Sequence, residues 1–107
     1  MKSNYIIVQT TLNNQEAARK LAASLLQEKL AACIQMMPIE SHYVWKEAVV
    51  TDAEILLTIK SARHLFEDIE KHILSNHPYE TPEIIQIPIF HLSNRYQKWM
   101  DEVIRQG

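Results

Sequence analysis

His77-Pro78-Tyr79-Glu80-Thr81-Pro82-Glu83 places a histidine, a tyrosine, two carboxylates and two prolines within seven residues. Each proline holds its own φ near −65° and pushes the residue before it out of the helical region. His77 and Thr81 are therefore expected in extended or turn geometry, in a stiff segment. Upstream, a helical pattern ends at Asn76. Downstream runs the apolar stretch Ile84-Ile85-Gln86-Ile87. The segment reads as a helix-to-strand connection, the kind of position where functional groups sit on a rigid scaffold. That reading decides the fold, because it makes the second half of the chain repeat the strand and helix logic of the first.

Working outward, Tyr5-Ile6-Ile7-Val8-Gln9-Thr10 is rich in β-branched and aromatic residues and predicts a strand. Asn13, with Glu16 three residues on, reads as the cap of a helix over 14–28. Ala17, Ala18, Leu21, Ala22, Leu25 and Leu26 supply its apolar stripe. A second strand is expected over 31–45, with Pro38 at a bend or a sheet edge. Its return partner contains Val49-Val50 and 54–60. Ser61 is expected to cap a helix over 62–75, buried through Ala62, Leu65, Phe66, Ile69 and Ile73. A strand over 83–89 follows, with Pro88 at an edge or end. The last helix, 94–105, carries Tyr96, Trp99, Met100, Val103 and Ile104 on one face. The order β-α-β-β-α-β-α predicts an α+β protein with a ferredoxin-like antiparallel sheet (βαββαβ) and an extra C-terminal helix.

The 107 residues suit one domain, with 47% apolar and 22% charged residues as in ordinary globular proteins. A net charge of −2 gives no electrostatic reason to expect nucleic acid or an anionic membrane. No apolar run approaches the roughly 20 residues of a membrane span. The start, Met1-Lys2-Ser3-Asn4, has no leader-like apolar core, and Cys33 is the only cysteine; a cytoplasmic location is the expectation. The only glycine is Gly107. That excludes glycine-rich phosphate loops, dinucleotide fingerprints and nucleophile elbows.

The central hairpin is long for such a chain. A strand over 31–45 spans about 50 Å, whereas a domain of this size is roughly 35 Å across. Either Pro38 folds the strand over, or the hairpin reaches a neighbouring chain. Its apolar Val44, Trp45, Val49 and Val50 favour the second, in a closed homo-oligomer.

These residues resemble the divalent-cation-tolerance family known as CutA. The matching positions are Leu30-Ala31-Ala32-Cys33; Ser41, Tyr43 and Trp45; Glu54 and Lys60; the segment 77–83; and Tyr96 and Trp99. They keep the family's order across nearly the whole chain, so the chain reads as a single CutA-like domain over 1–107. The resemblance implies a homotrimer with hairpins paired between subunits, and a link to tolerance of copper and other divalent metals. Two positions depart from the pattern. Family members often have glycine after the hairpin tryptophan, where this chain has Lys46-Glu47-Ala48, so a longer loop is expected. Family copper binding is associated with a first-strand cysteine and adjacent histidines before Pro-Tyr; here those positions hold Gln9 and Asn76, leaving His77.

His77 is the candidate Cu²⁺ ligand, since a neutral imidazole suits copper and zinc. A single imidazole makes a weak site, and no metal is expected as an obligatory cofactor. His64, Asp68 and His72, at i, i+4 and i+8, read as the polar flank of a surface helix. Cys33 reads as a small buried hydrophobe. Tyr43, Trp45, Glu54, Lys60, Tyr79, Glu83, Tyr96 and Trp99 are the candidates for a ligand pocket or subunit interface. No nucleophile–base spacing stands out, so the chain is not read as an enzyme. The alternative to metal response is a trimeric regulator resembling the PII proteins, with a small metabolite in its inter-subunit clefts.

Overall fold

The computed structural model describes residues 4–107; Met1-Lys2-Ser3, part of the leader reading, lie outside the described residues. The elements are β1 (Tyr5–Leu12), α1 (Gln15–Gln27), β2 (Cys33–Trp45), β3 (Ala48–Ala62), a 3-10 turn (Arg63–Leu65), α2 (Phe66–Asn76), β4 (Ile85–Ile89) and α3 (Asn94–Val103). The four strands form one antiparallel sheet in the order β2-β3-β1-β4. This is the expected ferredoxin-like α+β arrangement with a trailing helix.

Strand periodicity divides the sheet into two faces. Ile6 and Val8 of β1 and Leu57 and Ile59 of β3 are buried on one face, beneath Ala18, Leu21 and Leu25 of α1 and Ile69 and Ile73 of α2. Fully burying an aliphatic side chain of this kind contributes about 1.5–3 kcal/mol. Ile7, Gln9, Leu56, Thr58, Lys60, Ile85 and Ile87 alternate onto the other face. The third helix crosses only one end of that face, where the Tyr5 hydroxyl donates to Asp101 at 2.8 Å. The rest is uncovered, and Met37, Ile85 and Ile87 are exposed on it.

Several local expectations are corrected. Asn14, not Asn13, caps α1: it is extended, and its side chain accepts the Ala17 N–H at 2.8 Å. The helical phase that buries Ala18, Leu21 and Leu25 decides between the adjacent asparagines. Ser61 caps nothing. It lies buried in β3 opposite Ile6 and donates its hydroxyl to the Leu30 carbonyl at 2.6 Å. The third strand therefore runs on to Ala62, and the second helix starts through the 3-10 turn without a side-chain cap. Cys33 is only half-buried, at the start of β2 opposite Lys60 and away from α1 and α2.

The hairpin turn is tight rather than long. Trp45 pairs with Ala48, and Lys46 and Glu47 close the turn with φ of 50° and 68°. Two successive left-handed residues are the two-residue solution that matches strand twist. Pro38 does not fold β2 over; it pairs with Ile55 on an edge strand, where its missing N–H faces outward. The 13 residues of β2 span about 43 Å, matching the molecule's longest dimension of 44 Å. The hairpin thus sets the long axis, and Val44 and Val49 near its tip are 71% and 81% exposed.

Candidate functional site

Pro78 holds His77 extended, at φ −96° and ψ 135°, as the last helix-capping residue of α2. That turns the imidazole back towards the end of β1. Its Nε2–H donates to the Thr11 carbonyl at 2.8 Å, and its Nδ1 accepts the Tyr79 backbone N–H at 3.1 Å. These partners assign the neutral tautomer with the proton on Nε2. Burial pushes the imidazole below its ordinary pKa, and the Thr11 hydrogen bond and the charge of Glu54 only partly offset that. Both nitrogens are engaged, so a metal reaches His77 only by displacing one of these bonds.

The ring of Tyr79 meets that of His77 edge-on, with centroids 4.7 Å apart. Its hydroxyl donates to Glu54 Oε2 at 2.7 Å. Burial, with the Glu54 hydrogen bond second, drives the Tyr79 pKa well above the ordinary phenol value. Nearer the hairpin tip, the Tyr43 hydroxyl donates to Asp52, and that bond raises the Tyr43 pKa. Asp52 and Glu54 stand two apart on β3 and share one face. Burial first, and the charge of Glu54 second, raise the pKa of Glu83.

The tyrosines and carboxylates line a cleft of about 560 Å³ between the distal half of the hairpin and residues 79–83, and His77 stands behind Tyr79 rather than in the lining. The cleft walls include His42, Tyr43, Trp45, Asp52, Glu54, Tyr79 and Glu83, and among the described residues no lysine or arginine. Five of the eight predicted pocket residues therefore meet here. The other three form a separate cluster. Lys60 shares the face of Glu54 but lies six residues along β3, about 20 Å away. Its Nζ sits 5.5 Å from the centre of the Tyr96 ring, and Tyr96 packs on Trp99 at 5.4 Å.

Sequence reasoning missed Thr11, His42 and Asp52 as lining residues; Glu80 was singled out with the 77–83 segment. Asp52 carried a readable signal, its period-two relation to Glu54; Thr11 enters only through tertiary packing. The histidines of the second helix go to separate partners. His64 lies in the 3-10 turn and donates to the Arg105 carbonyl at 2.9 Å. His72 Nε2 meets Ser24 Oγ at 2.7 Å. Among the described residues, no three histidine, cysteine, aspartate or glutamate side chains converge as a metal-binding group. A tight metal site within one chain is therefore not built by these residues.

Comparison with known proteins places this geometry in a family. A chloroplastic CutA protein of Arabidopsis thaliana is 45% identical over 101 residues, 94% of this chain and 56% of that protein. A chloroplastic CutA 1 of Oryza sativa is 42% identical, and the chain spans 58% of it; the chain thus covers a little over half the length of these plant relatives. The divalent-cation tolerance protein CutA of Thermus thermophilus is 37% identical over 90% of this chain and 94% of its own. The crystal structure of CutA1 from Oryza sativa superposes with a TM-score of 0.94 at 40% identity, covering 99% of this chain and 98% of that one. No helix among the described residues is long and apolar enough to cross a membrane. Residues 6–103 match the family described as CutA1 divalent ion tolerance protein, and the chain belongs to that family.

Proposed function

We propose that this chain serves divalent-cation tolerance as a homotrimer that binds Cu²⁺ weakly and reversibly. The observation that carries the reading is the cleft, whose Asp52, Glu54, Glu80 and Glu83 are accompanied, among the described residues, by no lysine or arginine. Such a surface attracts cations. Copper is preferred over zinc and manganese by nitrogen and oxygen ligands, and His77 supplies a nitrogen behind Tyr79, whose hydroxyl reaches Glu54 in the cleft. Affinity stays modest because His77 must give up a hydrogen bond to bind.

Trimerisation is supported by the sheet. Its two edges, β2 and β4, are different strands, and both carry exposed apolar side chains, Val44 and Ile85 among them. Pairing one edge with the other on the next copy is a heterologous contact, which ends growth only where the ring closes. The cytoplasm is the proposed location for this chain.

Titration calorimetry with Cu²⁺ at pH 7.5, in a buffer of known copper affinity, tests the metal reading. Wild type is expected to bind more strongly to Cu²⁺ than to Zn²⁺, and His77→Ala to lose the strongest site. Identical isotherms for the two proteins, or tight stoichiometric Zn²⁺ binding, would contradict it.

A second reading is favoured by the volume of the cleft. About 560 Å³ suits a small organic molecule better than a bare ion. In that reading the trimer is a PII-like regulator that takes up a metabolite there.

A further inference from the structure

We propose that the cleft binds a small organic cation with two or more ammonium groups, of the diamine and polyamine class, held by Glu54, Asp52 and Glu83. This rests on the metabolite reading of the cleft and names its chemistry.

Glu54 is the first argument. It is only 8% exposed. Its Oε2 takes the Tyr79 hydroxyl, and among the described residues nothing donates to Oε1. A largely buried carboxylate favours a cation or further donors, and neither ion pair among the described residues includes it: these are His42–Glu40, whose His42 lines the same cleft, and Arg105–Glu28. The second argument is polarity. The hydroxyls of Tyr43 and Tyr79 both spend their protons on carboxylates, so these four groups offer an incoming molecule acceptors only. The ligand must therefore bring the donors, as an ammonium group does. The third argument is spacing. Among the described residues no three acidic side chains converge on one point, so the negative charge is spread along the cleft rather than focused. That pattern fits a chain carrying separated charges better than a point charge. Tyr43, Trp45 and Tyr79 add aromatic walls, against which ammonium groups and their methylene linkers are held favourably.

Calorimetry on the assembled protein in metal-free buffer at about 0.15 M salt, where long-range attraction is screened, tests this. The probes are spermidine and 1,4-diaminobutane, with 1,4-butanediol as the neutral counterpart and succinate as the anionic one. Saturable binding is expected for the amines, spermidine tighter, with no heat from the diol or the diacid. Glu54→Gln keeps an acceptor for Tyr79 and is expected to weaken spermidine at least tenfold. Glu67→Gln, on the exposed surface of α2, is expected to leave it unchanged. If Glu54→Gln fails to fold, Glu83→Gln, at an exposed position, carries the same expectation. Equal losses in the Glu54 and Glu67 variants, or none in either, would reduce the binding to general attraction and overturn the proposal. Binding of the diol or diacid in place of the amines would overturn the cation while leaving a metabolite site. Silence from all four probes, with Glu54→Gln changing the assembly state, would assign the cleft to a basic side chain of a second copy and overturn both.

Discussion

Thr10 is fully buried between α1 and the sheet, and its hydroxyl has no hydrogen-bond partner among the described residues. An unpaired buried hydroxyl costs about 1–3 kcal/mol. Valine has nearly the same shape without that cost, so Thr10→Val is expected to raise stability by about 1 kcal/mol, read as a higher urea midpoint at unchanged slope. His77 makes a pH-dependent contribution of the opposite kind. Its pKa is lower in the folded chain than in the unfolded one, so protons favour the unfolded state. The contribution is fully present above the unfolded value of about 6.5 and is lost as pH falls through it towards the folded value. His77→Gln is expected to flatten the decline in melting temperature below about pH 6.5; an unchanged slope there would assign the decline to other histidines. Neither Thr10's isolation nor the tautomer of His77 is legible in the sequence, because both depend on which groups tertiary packing brings alongside. The extended backbone of His77, by contrast, follows directly from Pro78.

The elements were more legible than their ends. Periodicity gave β-α-β-β-α-β-α, since a helix or strand declares itself over many residues. The end signals misled where several residues competed for one job: Asn13 beside Asn14, and Ser61 as a cap when the Leu30 carbonyl needed its hydroxyl more. The absence of internal glycine also misled. It suggested loops, yet the chain places Lys29, Lys46 and Glu47 at positive φ. At Lys29 the end of α1 closes with Leu30 N–H on Leu25 O and Lys29 N–H on Leu26 O, both 3.0 Å, the paired bonds of a Schellman motif. At the hairpin, the strand pairs on either side hold Lys46 and Glu47 in place. A left-handed non-glycine residue costs roughly 1–2 kcal/mol. Replacing Lys46-Glu47 with Asn-Gly, the sequence suited to this turn, is expected to raise the melting temperature by several degrees without altering the secondary structure seen by circular dichroism. A fall would show that the two side chains make contacts in the assembly that outweigh backbone strain.

At the scale of the molecule, the candidate site was half legible. Tyr43, Trp45, Glu54, Tyr79 and Glu83 converge because the distal half of the hairpin and the 77–83 segment are neighbours, whereas Lys60, Tyr96 and Trp99 lie at the far end of the sheet face. The family resemblance groups Lys60 with Glu54, although six residues of separation along one strand already put the two about 20 Å apart. The same face explains why this chain should not be stable as a lone copy. An uncovered apolar sheet face and a hairpin running the molecule's 44 Å length with Val49 81% exposed are costly in water. Sedimentation equilibrium at micromolar concentration is expected to give three times the 12.5 kDa chain mass. Trp45, 42% exposed beside the turn, is the largest side chain near the tip and leaves a large part of its ring open to a neighbouring copy. An interface anchor of this kind contributes about 2 kcal/mol or more when truncated. In a closed ring every interface carries the substitution, so Trp45→Ala is expected to weaken assembly by about three times that amount. The core of Ile6, Val8, Leu57 and Ile59 lies on the opposite face and is untouched. Dissociation on dilution, with helix and strand content retained, is therefore the expected result. A variant that sediments as wild type and melts at the same temperature would show that the hairpin tip is not what holds the copies together.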